Sequence, residues 1–135
     1  TQFDPDDTLR SLDRLLALSP DAVYLTHYAQ RRDVPALGAR LKRLTLDYVA
    51  IAEQALADEG IAADDEPAIA ARITALQARI RKSLTALYVD ELKAIGSTLP
   101  TDAALGLLSI DITLNADGLI DWLRGRARRA AAPRP

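Results

Sequence analysis

Apolar side chains recurring at alternating intervals of three and four residues restrict the fold of this chain more than any other feature. Val34, Leu37, Leu41, Leu44, Tyr48, Ile51 and Ala55 form one such stripe, and Ile69, Ile73, Leu76, Ile80, Leu84, Leu87 and Ile95 form a second. That spacing puts each set on one face of a helix. Punctuation frames both. Asp33 has N-cap chemistry, Pro35 suits a first helical turn, and Gly60 lies just past the end near Asp58. The acidic link Ala63-Asp64-Asp65-Glu66 follows, Pro67 opens the second helix and Gly96 closes it. Two long amphipathic helices joined by a short link predict an antiparallel αα-hairpin.

The flanks differ. Asp4-Pro5-Asp6-Asp7 starts a helix with a cap, a proline in the first turn and acids favoured by the helix dipole. Leu9, Leu12, Leu15 and Leu16 continue it, and Ser19-Pro20 stops it. Ala22-Val23-Tyr24-Leu25-Thr26-His27 is short, apolar and β-prone, and reads as a buried strand, the alternative for residues 22–26 being a loop or helix in an all-α protein. Tyr28-Ala29-Gln30-Arg31-Arg32 shows no period and reads as a loop. One strand cannot make a sheet, and each backbone group buried unpaired costs roughly 1–3 kcal/mol. Residues 5–26 therefore look like one helix–strand repeat of a layered α/β domain whose other strands lie outside this chain. Towards the C-terminus, Asn115-Ala116-Asp117-Gly118 interrupts an apolar stretch from Ala103 to Leu123. One helix is expected before it and a short one after it, with Trp122 packed on the hairpin. Residues 125–135, rich in Arg, Ala and Pro with no acid after Asp121, are expected to be disordered.

Composition removes several classes of function. Lys and Arg number 17 against 19 Asp and Glu, a formal charge of −2, which excludes a generally basic nucleic-acid binder. The absence of cysteine excludes a disulfide scaffold, a Cys zinc site and a Cys nucleophile, and fits a cytoplasmic location. A single histidine excludes a metal site of two or three His from one copy of the chain. No run of apolar residues is long enough for a membrane span, and no signal peptide leads the chain. Methionine is absent and the chain begins at Thr1, so a processed terminus or a piece of a longer protein is expected.

His27 follows the predicted strand, and α/β folds place chemistry at strand ends. An imidazole there suits a metal ligand or a proton shuttle. Phe3-Asp4-Pro5, then Ser11 to Leu18, then Ala22-Val23-Tyr24-Leu25-Thr26-His27-Tyr28 resembles the last helix–strand unit of metallo-β-lactamase-fold hydrolases, most closely the glyoxalase-II-like bacterial group. Asp33-Val34-Pro35-Ala36-Leu37 with its long helix, and Ile110 to Leu119 with Trp122-Leu123, are similar to the helical extension of that group. The resemblance covers nearly the whole chain before the basic tail. It implies that His27 is the final histidine ligand of a dinuclear site, usually zinc, and that Thr26 and Tyr28 border the pocket. It implies a thioester, lactone or other ester as substrate. The family motif commonly has Gly two residues after the histidine, where this chain has Ala29. The His-x-His-x-Asp-His motif is absent and would lie upstream of Thr1.

The resulting expectation is a mainly α chain. Residues 1–32 would be the helix–strand unit that ends an αββα sandwich, residues 33–124 a helical extension with the αα-hairpin and a terminal helical segment, and residues 125–135 a flexible tail. It would be the C-terminal portion of a metal-dependent hydrolase, and its first partner would be the missing N-terminal part. The intact enzyme would hold two zinc ions, while this chain alone would bind none tightly and catalyse nothing. No nucleic acid or membrane partner is expected. The alternative is a helical interaction module without metal or catalysis, working through helix contacts as a homodimer.

Weaker candidates resolve to structure. A calcium-loop register across Asn115-Ala116-Asp117-Gly118 puts Thr113 first and Arg124 twelfth, where the bidentate Glu belongs, so a turn with a cap is expected. Asp64-Asp65-Glu66 reads as a solvated link, and Asp90 and Glu91, adjacent on a helix, point apart. Arg40, Lys42 and Arg43, with Arg79, Arg81 and Lys82, read as solvated helix faces.

Overall fold

The computed structural model describes residues 3–26 and 29–132. These residues are mainly helical, in the order α1 (Pro5–Ala17), β1 (Val23–Tyr24), β2 (Gln30–Arg31), α2 (Val34–Asp58), α3 (Glu66–Ala71), α4 (Ile73–Ala94), α5 (Thr101–Leu107) and α6 (Ser109–Ala131). They divide into two compact units, an N-terminal one of Asp4–Val49 and a C-terminal one of Phe3 with the residues from Ala50 onward. The division falls inside α2.

In the N-terminal unit, α1 starts as its sequence dictates. The Asp4 carboxylate accepts from the Asp7 amide at 3.0 Å, and Pro5 occupies the first turn. The helix ends in Ser19, which takes the left-handed conformation (φ 47°) before Pro20. Gly38 lets α2 approach α1, since a Cβ there would stand 2.6 Å from Leu16 Cδ2. The isolated strand is corrected. β1 pairs antiparallel with β2, Val23 opposite Arg31 and Tyr24 opposite Gln30, through the segment expected to be a loop. Leu25 N–H donates to the Ala29 carbonyl at 3.2 Å and closes the turn. Two-residue strands have too few residues to show a period, and so short a ladder satisfies its backbone groups locally.

The C-terminal unit holds the main core. Its largest fully buried side chains are Ile69 of α3, Leu76, Ile80 and Leu84 of α4, and Leu119 and Leu123 of α6. Thus α4 takes α6 as its principal packing partner, where the hairpin expectation gave it α2. The helix expected from Pro67 onward breaks at Arg72 (φ −112°, ψ 15°), and both of its pieces pack on α6. Ile95, the last member of the predicted stripe, lies past the end of α4 and is exposed.

Two expectations for the C-terminal stretch are overturned. α6 runs unbroken through Asn115-Ala116-Asp117-Gly118, and the interruption lies at Leu108, with a bend of 58° between α5 and α6. The turn-forming side chains find partners on α4 instead of on their own backbone. Asn115 Nδ2 donates to the Tyr88 hydroxyl at 2.6 Å, and Gln77 donates to Asp117. Ala116 and Gly118 are buried. The Arg-rich segment expected to be disordered is helical to Ala131, because acids from earlier in the chain neutralise it. Arg124 Nε donates to Glu66 at 2.8 Å, Arg128 Nη2 to Glu66 at 3.2 Å and Arg126 Nη1 to Glu53 at 2.6 Å.

Candidate functional site

The β1–β2 turn is where the sequence places its one candidate metal ligand. Thr26 lies in that turn and is exposed. His27 and Tyr28 lie outside the described residues. The turn is built from both sides. Val23 and Tyr24 enter it, and the Tyr24 hydroxyl accepts from Gln30 Nε2 at 3.1 Å. Ala29 leaves it in the left-handed region (φ 56°), a conformation that favours glycine. Beyond β2, Arg31 grips Asp33 with both donors of its fork, Nε to Oδ1 at 2.9 Å and Nη2 to Oδ2 at 2.6 Å. These bonds hold the Asp33 carboxyl below the ordinary carboxylate range. Asp33 immediately precedes α2, and its carboxylate accepts from Arg31.

A cleft of about 540 Å³ lies in the same unit, within the size range of small-molecule sites. Leu16, Val34 and Pro20 give it an apolar lining, and Arg32, Lys42 and Asp21 supply charge. Lys42 is tied to Asp13, whereas Arg32 is exposed and makes no ion pair among the described residues. Sequence reading missed this cleft. Arg32 looks like any loop cation, and Lys42 like part of a solvated helix face.

Two ion clusters in the C-terminal unit were also missed. Glu59, only 9% exposed at its side chain, accepts from Arg72 Nη1 at 2.9 Å and from Arg79. Glu66 accepts from Arg124 and Arg128, one turn apart on α6. The arginine hydrogen bonds hold both carboxyls below their ordinary values, through Arg79 and then Arg72 for Glu59, and through Arg124 and then Arg128 for Glu66. Every Glu59 and Glu66 partner is a cation already paired, so these clusters act as fasteners. Asp65 caps α3 by accepting from the Ala68 amide at 3.0 Å.

Among the described residues, no group of three or more His, Cys, Asp or Glu side chains is arranged to hold a metal ion. A dinuclear centre at His27 would need most of its ligands from outside these residues. Comparison of the chain with protein-family models, with curated proteins and with solved structures finds no match.

Proposed function

We propose that this chain is the C-terminal portion of a metal-dependent hydrolase, of dinuclear zinc type, that acts on a thioester, lactone or other ester. His27 is its metal ligand, with Thr26 and Tyr28 at the pocket edge. The observation that carries this reading is the left-handed Ala29. The hydrolase motif that the chain resembles commonly has glycine at this place, two residues after the histidine. Glycine is the residue that φ > 0 favours, and Ala29 stands at φ 56° in this chain.

The exposed apolar surface of the N-terminal unit agrees. Leu15, Leu18, Tyr24 and Leu25 stand exposed, Tyr24 by 80%. In this reading they meet the remaining layers of the sandwich, supplied by the N-terminal part of the enzyme. The bound metals would supply a hydroxide at neutral pH and polarise the substrate carbonyl. This chain contributes one imidazole and the cleft beside Arg32.

The coding sequence upstream of Thr1 is the direct test. An in-frame His-x-His-x-Asp-His supports the reading. A start codon immediately before Thr1 removes it and leaves the helical interaction module. In the intact enzyme, His27→Ala is expected to lower metal affinity by about 100-fold or more and to abolish ester hydrolysis. The 135-residue chain alone is expected to show no sub-micromolar zinc binding by calorimetry.

A further inference from the structure

The cleft of the N-terminal unit lies at the base of the β1–β2 hairpin. Ser19, Pro20 and Asp21 line it just before β1, and Arg32 and Val34 line it just after β2. It therefore stands at the end of the hairpin away from the turn that carries Thr26. Its floor is apolar and set in place by packing. Val34 is buried, and Leu16 of α1 rests on α2 at Gly38, where a Cβ would stand 2.6 Å from Leu16 Cδ2. With Pro20 these side chains offer a preformed bed for the hydrocarbon part of a small molecule, in a volume of about 540 Å³.

The rim is charged, and its cations are not equally free. Arg32 and Lys42 line the cleft, with Asp21 as the one acid among the lining residues. Lys42 is tied to Asp13. The acid nearest to Arg32 in the chain is Asp33, and Arg31 engages both of its carboxylate oxygens. Arg32 is thus left exposed, with no ion pair among the described residues. A guanidinium fork matches a carboxylate through two parallel hydrogen bonds. The wall also holds backbone strain, because Ser19 takes a left-handed conformation (φ 47°). Such residues persist where the surrounding structure fixes them, and they gather at ligand sites.

We propose that this cleft binds a medium-chain monocarboxylate, with the Arg32 guanidinium on the carboxylate and the aliphatic chain on Leu16, Pro20 and Val34. Lys42 adds positive potential from α2. Its pair with Asp13 is exposed and contributes little, so Lys42 is free to turn towards the ligand. Asp21 limits the ligand to one negative charge, since a phosphate monoester carries nearly two at neutral pH. Binding rests on residues of the N-terminal unit and is independent of the metal-dependent reading of His27.

Calorimetric titration of the 135-residue chain with sodium hexanoate tests it. The wild type is expected to saturate at one site per chain with a Kd below about 1 mM. Arg32→Gln is expected to weaken binding at least tenfold, and Asp21→Asn to leave it as tight or tighter. Both positions are exposed, so helical circular dichroism is expected to stay the same in each variant. Arg14→Gln removes an exposed cation outside the cleft and is expected to leave the affinity unchanged. Hexan-1-ol, with the same chain and no charge, is expected to bind at least tenfold more weakly than hexanoate. Hexyl phosphate is expected to bind no more tightly than hexanoate. No saturable hexanoate binding up to about 10 mM overturns the proposal. Equal affinity in Arg32→Gln, an equal loss in Arg14→Gln, or hexan-1-ol binding as well as hexanoate overturns it too. A preference for hexyl phosphate assigns the cleft to phosphate esters and overturns it as well.

Discussion

Ala29 carries local backbone strain. A non-glycine residue at φ 56° costs roughly 1–2 kcal/mol. Glycine would remove that cost and add about 0.4–1 kcal/mol of unfolded-chain entropy. Ala29→Gly is therefore expected to stabilise the hairpin by about 0.5–1 kcal/mol. Slower amide exchange at Leu25, which donates to the Ala29 carbonyl, is the readout. A faster rate at Leu25 would show that the turn is not strained. Trp122 makes a different residue-scale case. Phe3 meets its ring edge-on at a centroid distance of 6.1 Å, and the Arg126 guanidinium lies over it at 4.6 Å. Trp122→Ala is expected to cost roughly 3–5 kcal/mol in urea unfolding, and a loss below about 1 kcal/mol would deny the ring its packing role. Arg126 itself buries Nε and Nη2 without partners among the described residues. Arg126→Met keeps the stem and removes those donors, so it is expected to cost less than about 1 kcal/mol in the same measurement.

Between elements, the Glu59 and Glu66 clusters make stability depend on acid. Their folded carboxyls titrate below the unfolded range because arginines hydrogen-bond the charged form. Their contribution is complete above the ordinary glutamate range and is lost as pH falls through the lowered folded values. Thermal unfolding between neutral pH and about pH 3 is expected to show this decline, and Glu59→Gln with Glu66→Gln to flatten it. An unchanged slope in the double variant would assign the decline to other carboxylates. The elements themselves were legible wherever a stripe was long. Val34 to Asp58 is a helix as its spacing requires, and Asp4-Pro5 starts α1 as its chemistry requires. The breaks were not legible. Asn115-Ala116-Asp117-Gly118 has turn chemistry, yet Tyr88 and Gln77 on α4 claim its side chains, and no local window contains that information. The Arg-rich end has the composition of a disordered tail until Glu53 and Glu66 are brought to it from far upstream. His27 stood out in the sequence through its place after the expected strand and through the resemblance, since a lone imidazole has no spacing to read.

Across the molecule, burial is uneven. The largest fully buried side chains all lie between Ile69 and Leu123, in the C-terminal unit, while α1 of the N-terminal unit buries only Pro5. Amide exchange is expected to be slowest in α4 and α6 and fastest in α1 and the β1–β2 hairpin. Protection at Val23–Leu25 matching that of Leu84 would contradict this. The position of the one tryptophan has a practical corollary. Trp122 is the only indole in the chain and belongs to the C-terminal unit, whereas Tyr24, Tyr28 and Tyr48 fall between residues 4 and 49. Excitation at the red edge of the ultraviolet band thus monitors one unit alone, and tyrosine absorbance weights the other. The chain carries a native pair of chromophores by which the loosening of each half can be followed separately, without an attached label.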